Sequence, residues 1–164
     1  MNRLYTLALL VPVLLLACSQ QPAVSSGELA PAFEFERLEG GRVRLEDLRG
    51  KTVLIDFWAT WCPPCVLEIP ELNAVYEAHR AAGVEILAIS IDGDERDELA
   101  RWAAEHDIRY PVVLGSTEVA REYGAYQFPF HVLVGPDGRV LERLTPGYHD
   151  REEFRELLER HRSG

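Results

Sequence analysis

Two cysteines separated by two prolines constrain this chain more than any other feature of its sequence. Cys62 and Cys65 follow an apolar run at residues 52–58, which has the composition of a buried strand, and a helical pattern begins at about residue 63. A pair with this spacing at a helix start can close a disulfide and open it again. Half of a zinc site is the alternative, but it would need a second cysteine pair or paired histidines, and the only other cysteine is Cys18. The spacing therefore predicts redox chemistry.

Strand and helix patterns alternate along the rest of the chain. Alternating residues at 33–36 and at Val43-Arg44-Leu45, on either side of Gly40-Gly41, predict a β-hairpin. Further strands are predicted at residues 53–58, 84–91, 112–114, 130–134 and 140–144, and helices at residues 63–82, 94–106, 118–123 and 150–161. Strands that alternate with helices and end in a hairpin and a helix predict an α/β sandwich with a mixed sheet.

Two local patterns carry further predictions. In the first helix, Leu67, Leu72, Val75 and Tyr76 stand near helical spacing and predict its apolar side. The acidic turn at residues 92–94 predicts a cap for the second helix. A calcium loop is the alternative for this turn, but it would need a glutamate at its twelfth position, where the chain has alanine.

The first 17 residues have the pattern of an export signal. A weakly basic start is followed by an almost wholly apolar stretch from Leu4 to Leu16, too short and too interrupted by Pro12 for a convincing membrane span. The ending Leu15-Leu16-Ala17-Cys18 looks like a bacterial lipobox, in which the cysteine receives a lipid. The alternative is an ordinary signal peptide with an incidental Cys18. We expect a lipid-anchored protein of the cell envelope, outside the cytoplasm.

Residues 18–31 are small, polar and interrupted by prolines, and they predict a flexible tether between the anchor and a domain at residues 32–164. The chain contains 27 acidic and 17 basic residues, a net charge of −10. Nucleic-acid phosphates would repel such a surface, so nucleic acid is not an expected partner.

A longer set of residues resembles the TlpA/ResA group of exported thioredoxin-like proteins. The set surrounds the cysteine pair and continues through Tyr123-Gly124, Pro129, Asp137-Gly138 and Gly147. The resemblance implies a thioredoxin-like three-layer sandwich with a βα insertion at residues 84–107. It also implies thiol–disulfide exchange with exported protein clients, often in cytochrome c or copper-site maturation, and a membrane thiol donor of electrons. We expect neither a cofactor nor a bound metal.

Cys62 lies nearer the helix start and is expected to be the nucleophile, with Cys65 resolving the mixed disulfide. Pro63 and Pro64 have no backbone N–H to offer the sulfur, and no histidine stands between the cysteines. Both absences predict a less stabilised thiolate and a more reducing couple. Trp61 completes the active-site motif.

Two acids are candidates for the proton transfer that Cys65 requires. Glu68 follows it by one helical turn, and Asp56 ends the apolar strand at the place where thioredoxins have a buried acid. Burial would raise the pKa of such an acid into a useful range. A solvated helix charge is the alternative for Glu68, whereas an acid within an apolar run is costly without a role.

By the same resemblance, Pro129 is expected to follow a cis peptide bond opposite the disulfide, the alternative being a trans proline at a strand start. Trp61, Tyr126 and Phe128 are either an apolar docking surface near the sulfurs or part of the core.

Two rival functions remain open at this point. His131, two residues past Pro129, could complete a copper site with the two thiolates, as in Sco-type proteins, although those have one more residue between their cysteines. A thiol peroxidase is the other rival, because peroxiredoxins share the fold. Their motif needs proline and serine or threonine at positions where this chain has Ile55 and Ala59.

Overall fold

A computed structural model describes residues 23–93 and 95–161; the predicted signal segment and Cys18 lie outside them. The strands are β1 (Glu34–Arg37), β2 (Arg42–Arg44), β3 (Thr52–Trp58), β4 (Val84–Ser90), β5 (Val112–Leu114), β6 (Phe130–Val134) and β7 (Val140–Arg143). The α-helices are α1 (Pro63–His79), α2 (Arg96–Glu105), α3 (Thr117–Tyr123) and α4 (Arg151–Arg160). Most predicted boundaries are confirmed within two residues, although α1 ends early and passes into a short 3-10 helix, Arg80–Ala82.

The strands form one sheet in the order β2-β1-β5-β4-β3-β6-β7. Its centre is parallel, because β4 pairs in parallel with both β3 and β5. The N-terminal hairpin adds to β5 in antiparallel orientation at one edge, and β6 and β7 add to β3 in the same way at the other. The predicted mixed sheet is confirmed, and the predicted βα insertion is β4 with α2.

Each face of the sheet is covered by a separate apolar layer, so the predicted three-layer sandwich is confirmed. Along β3 the side chains alternate between the layers, as a pleated strand requires. Leu54 and Trp58 face α1, α2 and α4, and Ile55 and Phe57 face the layer that contains α3. Fully burying a side chain of this size stabilises the fold by roughly 1.5–3 kcal/mol, so the cysteine-bearing junction that follows β3 stands on a rigid strand.

Residues 23–31, which the sequence assigned to the tether, belong to the domain. Val24 is buried in the apolar layer beside α3, and its N–H donates to the carbonyl of Glu122. Gly27 donates to the carbonyl of Val140 in β7, and Leu29 forms a β-bridge with Arg139. The proline and serine content of the segment suggested a tether, but its backbone is paired with the sheet edge. The predicted domain start at residue 32 is therefore wrong.

Two further predictions need correction. Leu67 was assigned to the apolar side of α1, but it is exposed, because the buried side of this helix is formed by Ile69, Leu72 and Val75. Leu45 was assigned to the hairpin strand, but it begins a 3-10 helix, Leu45–Leu48.

Among the described helices, none has the length and apolar character needed to cross a bilayer.

Candidate functional site

Cys62 and Cys65 are joined by a disulfide at the junction between β3 and α1. Cys62 is the N-cap residue of α1, and both cysteines are only 4% exposed. An N-cap residue has extended backbone, so it can end the loop after β3 and still begin the helix. The junction therefore places one sulfur at the helix start and the other within the first helical turn, where the two can form and break a disulfide.

Pro63 and Pro64 occupy the first two positions of α1. Proline suits the first helical position because its φ is already helical and its missing N–H would be unpaired there. An N-cap side chain normally accepts from the N–H of the second or third helical residue. Here the second residue is Pro64, and among the described residues the Cys62 sulfur accepts from Cys65 N–H alone, at 3.3 Å.

Asp92 holds the turn that precedes Cys62, a role that the sequence did not indicate. Its carboxylate accepts from the backbone N–H of Thr60 at 2.9 Å, from the Thr60 hydroxyl at 2.8 Å and from the Ser90 hydroxyl at 2.7 Å. The N-cap of α2 is Glu95, so the predicted helix-capping role of the acidic turn is wrong. Asp92 follows β4, which is next to β3 in the sheet. A polar residue directly after a predicted parallel strand was the sequence signal that could have indicated this role.

The Phe128–Pro129 peptide bond is cis, as the sequence predicted. Pro129 leads directly into β6, which is paired with β3. Phe128 makes an edge contact with Trp61, with ring centroids 6.3 Å apart. This contact brings the residue before Pro129 against the residue before Cys62, so the cis-proline loop and the disulfide junction adjoin one another.

Exposed apolar side chains stand close in sequence to the cysteine pair and to the cis-proline. Trp61 is 63% exposed, Tyr126 is 67% exposed and Leu67 on α1 is 68% exposed, whereas Phe128 is half-buried. Large apolar side chains left in water close to one another are typical of interaction sites. Trp61 and Tyr126 are therefore not core residues, and of the two alternatives the exposures favour the docking surface.

Asp56, Glu68 and His131 form a buried cluster beneath α1. Their positions come from three elements: Asp56 lies in β3, His131 lies directly opposite it in β6, and Glu68 lies in α1. His131 Nε2 is 2.9 Å from Glu68 Oε2 and 3.3 Å from Asp56 Oδ1. These are ion-pair distances, yet neither contact has the alignment of a hydrogen bond. We interpret the cluster as a charge cluster, because two carboxylates in an apolar layer need a cation close by.

Burial and mutual contact shift the proton affinities of the cluster. Burial raises the pKa of Glu68, and the nearby imidazole of His131 opposes that rise only in part. Burial disfavours the imidazolium of His131, but the carboxylates of Asp56 and Glu68 outweigh it and raise the pKa of His131 to about 9. At neutral pH His131 is therefore the cation of the cluster.

Glu68 also connects α1 to the loop before α4. Its Oε1 accepts from the backbone N–H of His149 at 2.6 Å. The side chain is fully buried, so it is not the solvated helix charge that was one interpretation of the sequence. Both predicted acids are thus inside the protein on the side of α1, with Glu68 one turn beyond Cys65, where a proton acceptor for that cysteine is needed.

The cluster is also where the described residues bring three possible metal ligands together. Ligand atoms of Asp56, Glu68 and His131 lie within 4.8 Å of one another, and neither cysteine belongs to the group. The His131 nitrogen nearest the carboxylates is already in contact with both, so the imidazolium supplies the positive charge that a metal would supply. This arrangement does not correspond to a copper site built from His131 and the two sulfurs.

Residues 26–143 match the AhpC/TSA family. The thiol–disulfide oxidoreductase ResA of Bacillus cereus is 33% identical over 144 residues, which cover 87% of this chain and 82% of that relative. The chain belongs to the AhpC/TSA family and to its ResA-type members. The solved thioredoxin domain of a Bacteroides vulgatus thiol–disulfide oxidoreductase has a TM-score of 0.74 and 29% identity, covering 84% of this chain and 98% of that domain. A thiol:disulfide interchange protein DsbE from Chlorobium tepidum has a TM-score of 0.73 and 27% identity, with coverages of 84% and 95%.

The thioredoxin-like fold and the activity that the sequence predicted are therefore confirmed. The protein is a thiol–disulfide oxidoreductase, and its Cys62–Cys65 disulfide is the redox-active group of the motif. The individual roles assigned to Glu68, Asp56 and Pro129 stay predictions, as does lipid attachment at Cys18.

Proposed function

We propose that this oxidoreductase works as a reductant, opening disulfides in exported proteins. The observation that supports this direction is the capping of Cys62 by a single backbone donor, with Pro64 where the second would stand. A thiolate with fewer donors is less stable, and a dithiol whose reduced form is less stabilised gives up its electrons more readily.

The reaction runs in two exchanges. The Cys62 thiolate attacks one sulfur of the client disulfide, that disulfide breaks, and the departing client sulfur takes a proton. Cys65 then loses its proton, and its thiolate attacks Cys62 in the mixed disulfide. The Cys62–Cys65 bond forms and the second client sulfur leaves as a thiolate. The client gains two electrons and the protein ends oxidised, so each cycle needs two electrons from a reductant.

We place this cycle in the cell envelope. The export pattern of residues 1–17 and the lipobox-like ending at Cys18 support a lipid anchor outside the cytoplasm. That compartment oxidises dithiols, so a membrane thiol donor would have to supply the electrons. The resemblance of the cysteine motif to the TlpA/ResA group is the basis for proposing clients in cytochrome c or copper-site maturation.

The reduction potential of the Cys62–Cys65 couple tests the direction. The protein is equilibrated with glutathione buffers, its free thiols are trapped, and the oxidised fraction is measured. A potential near about −270 mV, that of thioredoxin, would support a reductant. A potential near about −120 mV, that of DsbA, would mean that the protein forms disulfides in its clients and would overturn the proposal.

Two variants test the cysteine assignments and a third tests the anchor. Cys62→Ser is expected to abolish reduction of insulin disulfides, and Cys65→Ser is expected to accumulate a covalent complex with the client. Retained activity in Cys62→Ser would refute the assignment of the nucleophile. For the anchor, Cys18→Ala is expected to move the protein from the membrane fraction to the soluble fraction and to prevent incorporation of radiolabelled fatty acid.

No structural observation favours peroxidase activity. The positions three and seven residues before Cys62 are Ala59 and Ile55, so the hydroxyl and proline of the peroxiredoxin motif are missing. Peroxide consumption by the reduced protein at a rate that matches its insulin reduction would restore that alternative.

A further inference from the structure

The buried cluster contains two acids and one cation. Asp56, Glu68 and His131 are each at most 3% exposed. Within residues 23–93 and 95–161, neither acid has an ion-pair partner other than His131. Two buried carboxylates without compensation would repel each other, and one would hold a proton. The charge count of the cluster is one net negative charge when His131 is protonated and both acids are ionised.

We infer that His131 is a positioning residue for the resolving step, because its imidazolium cancels one of the two carboxylate charges in the layer that contains Cys65. The cluster then retains the capacity to accept the single proton that Cys65 loses. The inference rests on the thiol–disulfide exchange activity and not on its proposed direction.

The placement of Cys65 makes this charge balance relevant to its sulfur. Cys65 precedes Glu68 by one helical turn and lies in the apolar layer between the sheet and α1. Asp56 and His131 project from the same face of the sheet, since they alternate with residues of the opposite layer. Charges in a layer without water act strongly on one another. Each additional negative charge there raises the pKa of the Cys65 thiol and reduces its thiolate.

The other groups around His131 do not replace its charge. His149 makes an edge contact with the ring, at a centroid separation of 5.6 Å, and its backbone N–H donates to Glu68. Tyr110 is buried nearby, and burial together with the charges of Asp56 and Glu68 raises the pKa of its phenol, so it stays neutral. From α4 the ring is covered by Phe154, which has no charge.

The proton balance of the resolving step follows from these contacts. Cys65 S–H loses its proton to one of the two carboxylates, so the cluster, with His131 still protonated, passes from one net negative charge to zero. The Cys65 thiolate attacks Cys62, the bond between Cys62 and the client sulfur breaks, and the client leaves as a thiolate. The proton on the carboxylate pair is released to water before the next cycle.

The test is the pKa of the Cys65 thiol, measured from the pH dependence of its alkylation in the full chain carrying Cys62→Ser, with the Cys65 peptide identified by mass spectrometry. His131→Gln is expected to raise that pKa by about one unit. A pKa higher by one unit lowers the thiolate fraction of Cys65 about tenfold at pH 7, while the more basic thiolate reacts about threefold faster. Resolution of a preformed mixed disulfide should therefore slow by about three- to fourfold at pH 7.

A double variant separates charge from packing. In His131→Gln/Asp56→Asn the cluster again has one net negative charge, so the Cys65 pKa is expected to return to its original value. A packing role for His131 predicts no such return, because the second substitution adds to the disturbance. His161→Gln is the matched control, since His161 contacts a carboxylate of Glu142 at the surface, and it should leave the Cys65 pKa unchanged.

A measurement on the unaltered protein covers the case in which these variants fail to fold. Nitrogen NMR of the imidazole rings reports whether His131 is protonated. The inference expects an imidazolium at pH 7 in both redox states. A neutral His131 ring at pH 7, or a Cys65 pKa that does not respond to His131→Gln, would overturn it, whereas retained insulin reduction in Cys62→Ser would refute only the assignment of the nucleophile.

Discussion

Asp92 and Thr60, at the ends of two neighbouring strands, are joined by hydrogen bonds from both the backbone N–H and the hydroxyl of Thr60. Thr60 lies two residues before the nucleophile, so a carboxylate in the loop after β4 determines where the turn after β3 can go. The placement of the attacking sulfur affects the rate of its attack, and this contact is a polar constraint on that placement.

We predict that Asp92→Ala destabilises the protein and slows the attack by Cys62. The substitution leaves the Thr60 N–H and the Ser90 hydroxyl without their acceptor, which should lower the free energy of unfolding by about 1–3 kcal/mol. Urea denaturation and insulin reduction measure the two effects. Asp97→Ala, an exposed acid on α2, is the control and should change neither. Unchanged stability in Asp92→Ala would mean that water replaces the carboxylate.

Stability should fall as the pH rises from 6 to 10. Glu68 and His131 both have raised pKa values in the fold, so the folded protein binds protons more tightly than the unfolded chain at both sites. For His131, the contribution is complete below its unfolded pKa of about 6.5 and is lost as the pH passes about 9. Those 2.5 units correspond to at most about 3 kcal/mol.

Urea denaturation at several pH values measures this dependence. In His131→Gln the decline between pH 7 and pH 10 should be smaller, because the group that releases its proton in this range is gone. An equal decline in both proteins would assign the effect to other groups.

Pro64 should hold the redox potential low, because it occupies the second helical position, from which a backbone N–H would reach the N-cap sulfur. Pro64→Ala restores this donor and is expected to lower the pKa of the Cys62 thiol and to raise the potential by about 30 mV, the equivalent of 1.4 kcal/mol. Pro63→Ala is a control of identical chemistry, since the first helical N–H is not directed at the cap. Equal effects of the two variants would contradict the capping explanation. Glutathione equilibration measures both.

The exposed aromatic side chains Trp61, which precedes Cys62, and Tyr126, in the loop before Pro129, should matter for protein clients and not for small disulfides. Trp61→Ala and Tyr126→Ala are each expected to reduce kcat/KM for insulin by about five- to tenfold, as interface anchors do. Reduction of a small aromatic disulfide should change little. Leu29→Ala serves as the control because Leu29 is also exposed but belongs to the N-terminal segment beside Arg139. Equal losses on both substrates would indicate damage to the disulfide itself.

The sequence allowed the strand–cysteine–helix junction to be predicted because all its determinants are local. The apolar run of β3, the prolines that start α1 and the turn residues around Gly40 each act within a few positions. His131 could be noticed for its distance from Pro129, but its contacts with Asp56 and Glu68 depend on the register of β6 against β3 and on the packing of α1. No local pattern encodes those two quantities.

The same limit explains the errors. Residues 23–31 have the composition of a tether, and their order comes from backbone hydrogen bonds to β7, which side-chain composition does not reveal. Leu67 fits a helical apolar pattern, but α1 presents its N-terminal part to a surface where apolar side chains remain exposed. The hydrogen bonds between Asp92 and Thr60 were not predicted because the two residues are 32 positions apart, at the ends of different strands.

The pairing of residues 23–31 with the domain changes how far the active site can travel from the bilayer. If Cys18 carries the proposed lipid, only five peptide units separate it from Ala23, and these extend to at most about 18 Å, against about 45 Å for the tether first assigned. The domain would be confined to a thin layer over the lipid headgroups. Such confinement selects clients by where they are: polypeptides emerging from or resting on the membrane come within reach, and large folded proteins in the open compartment do not.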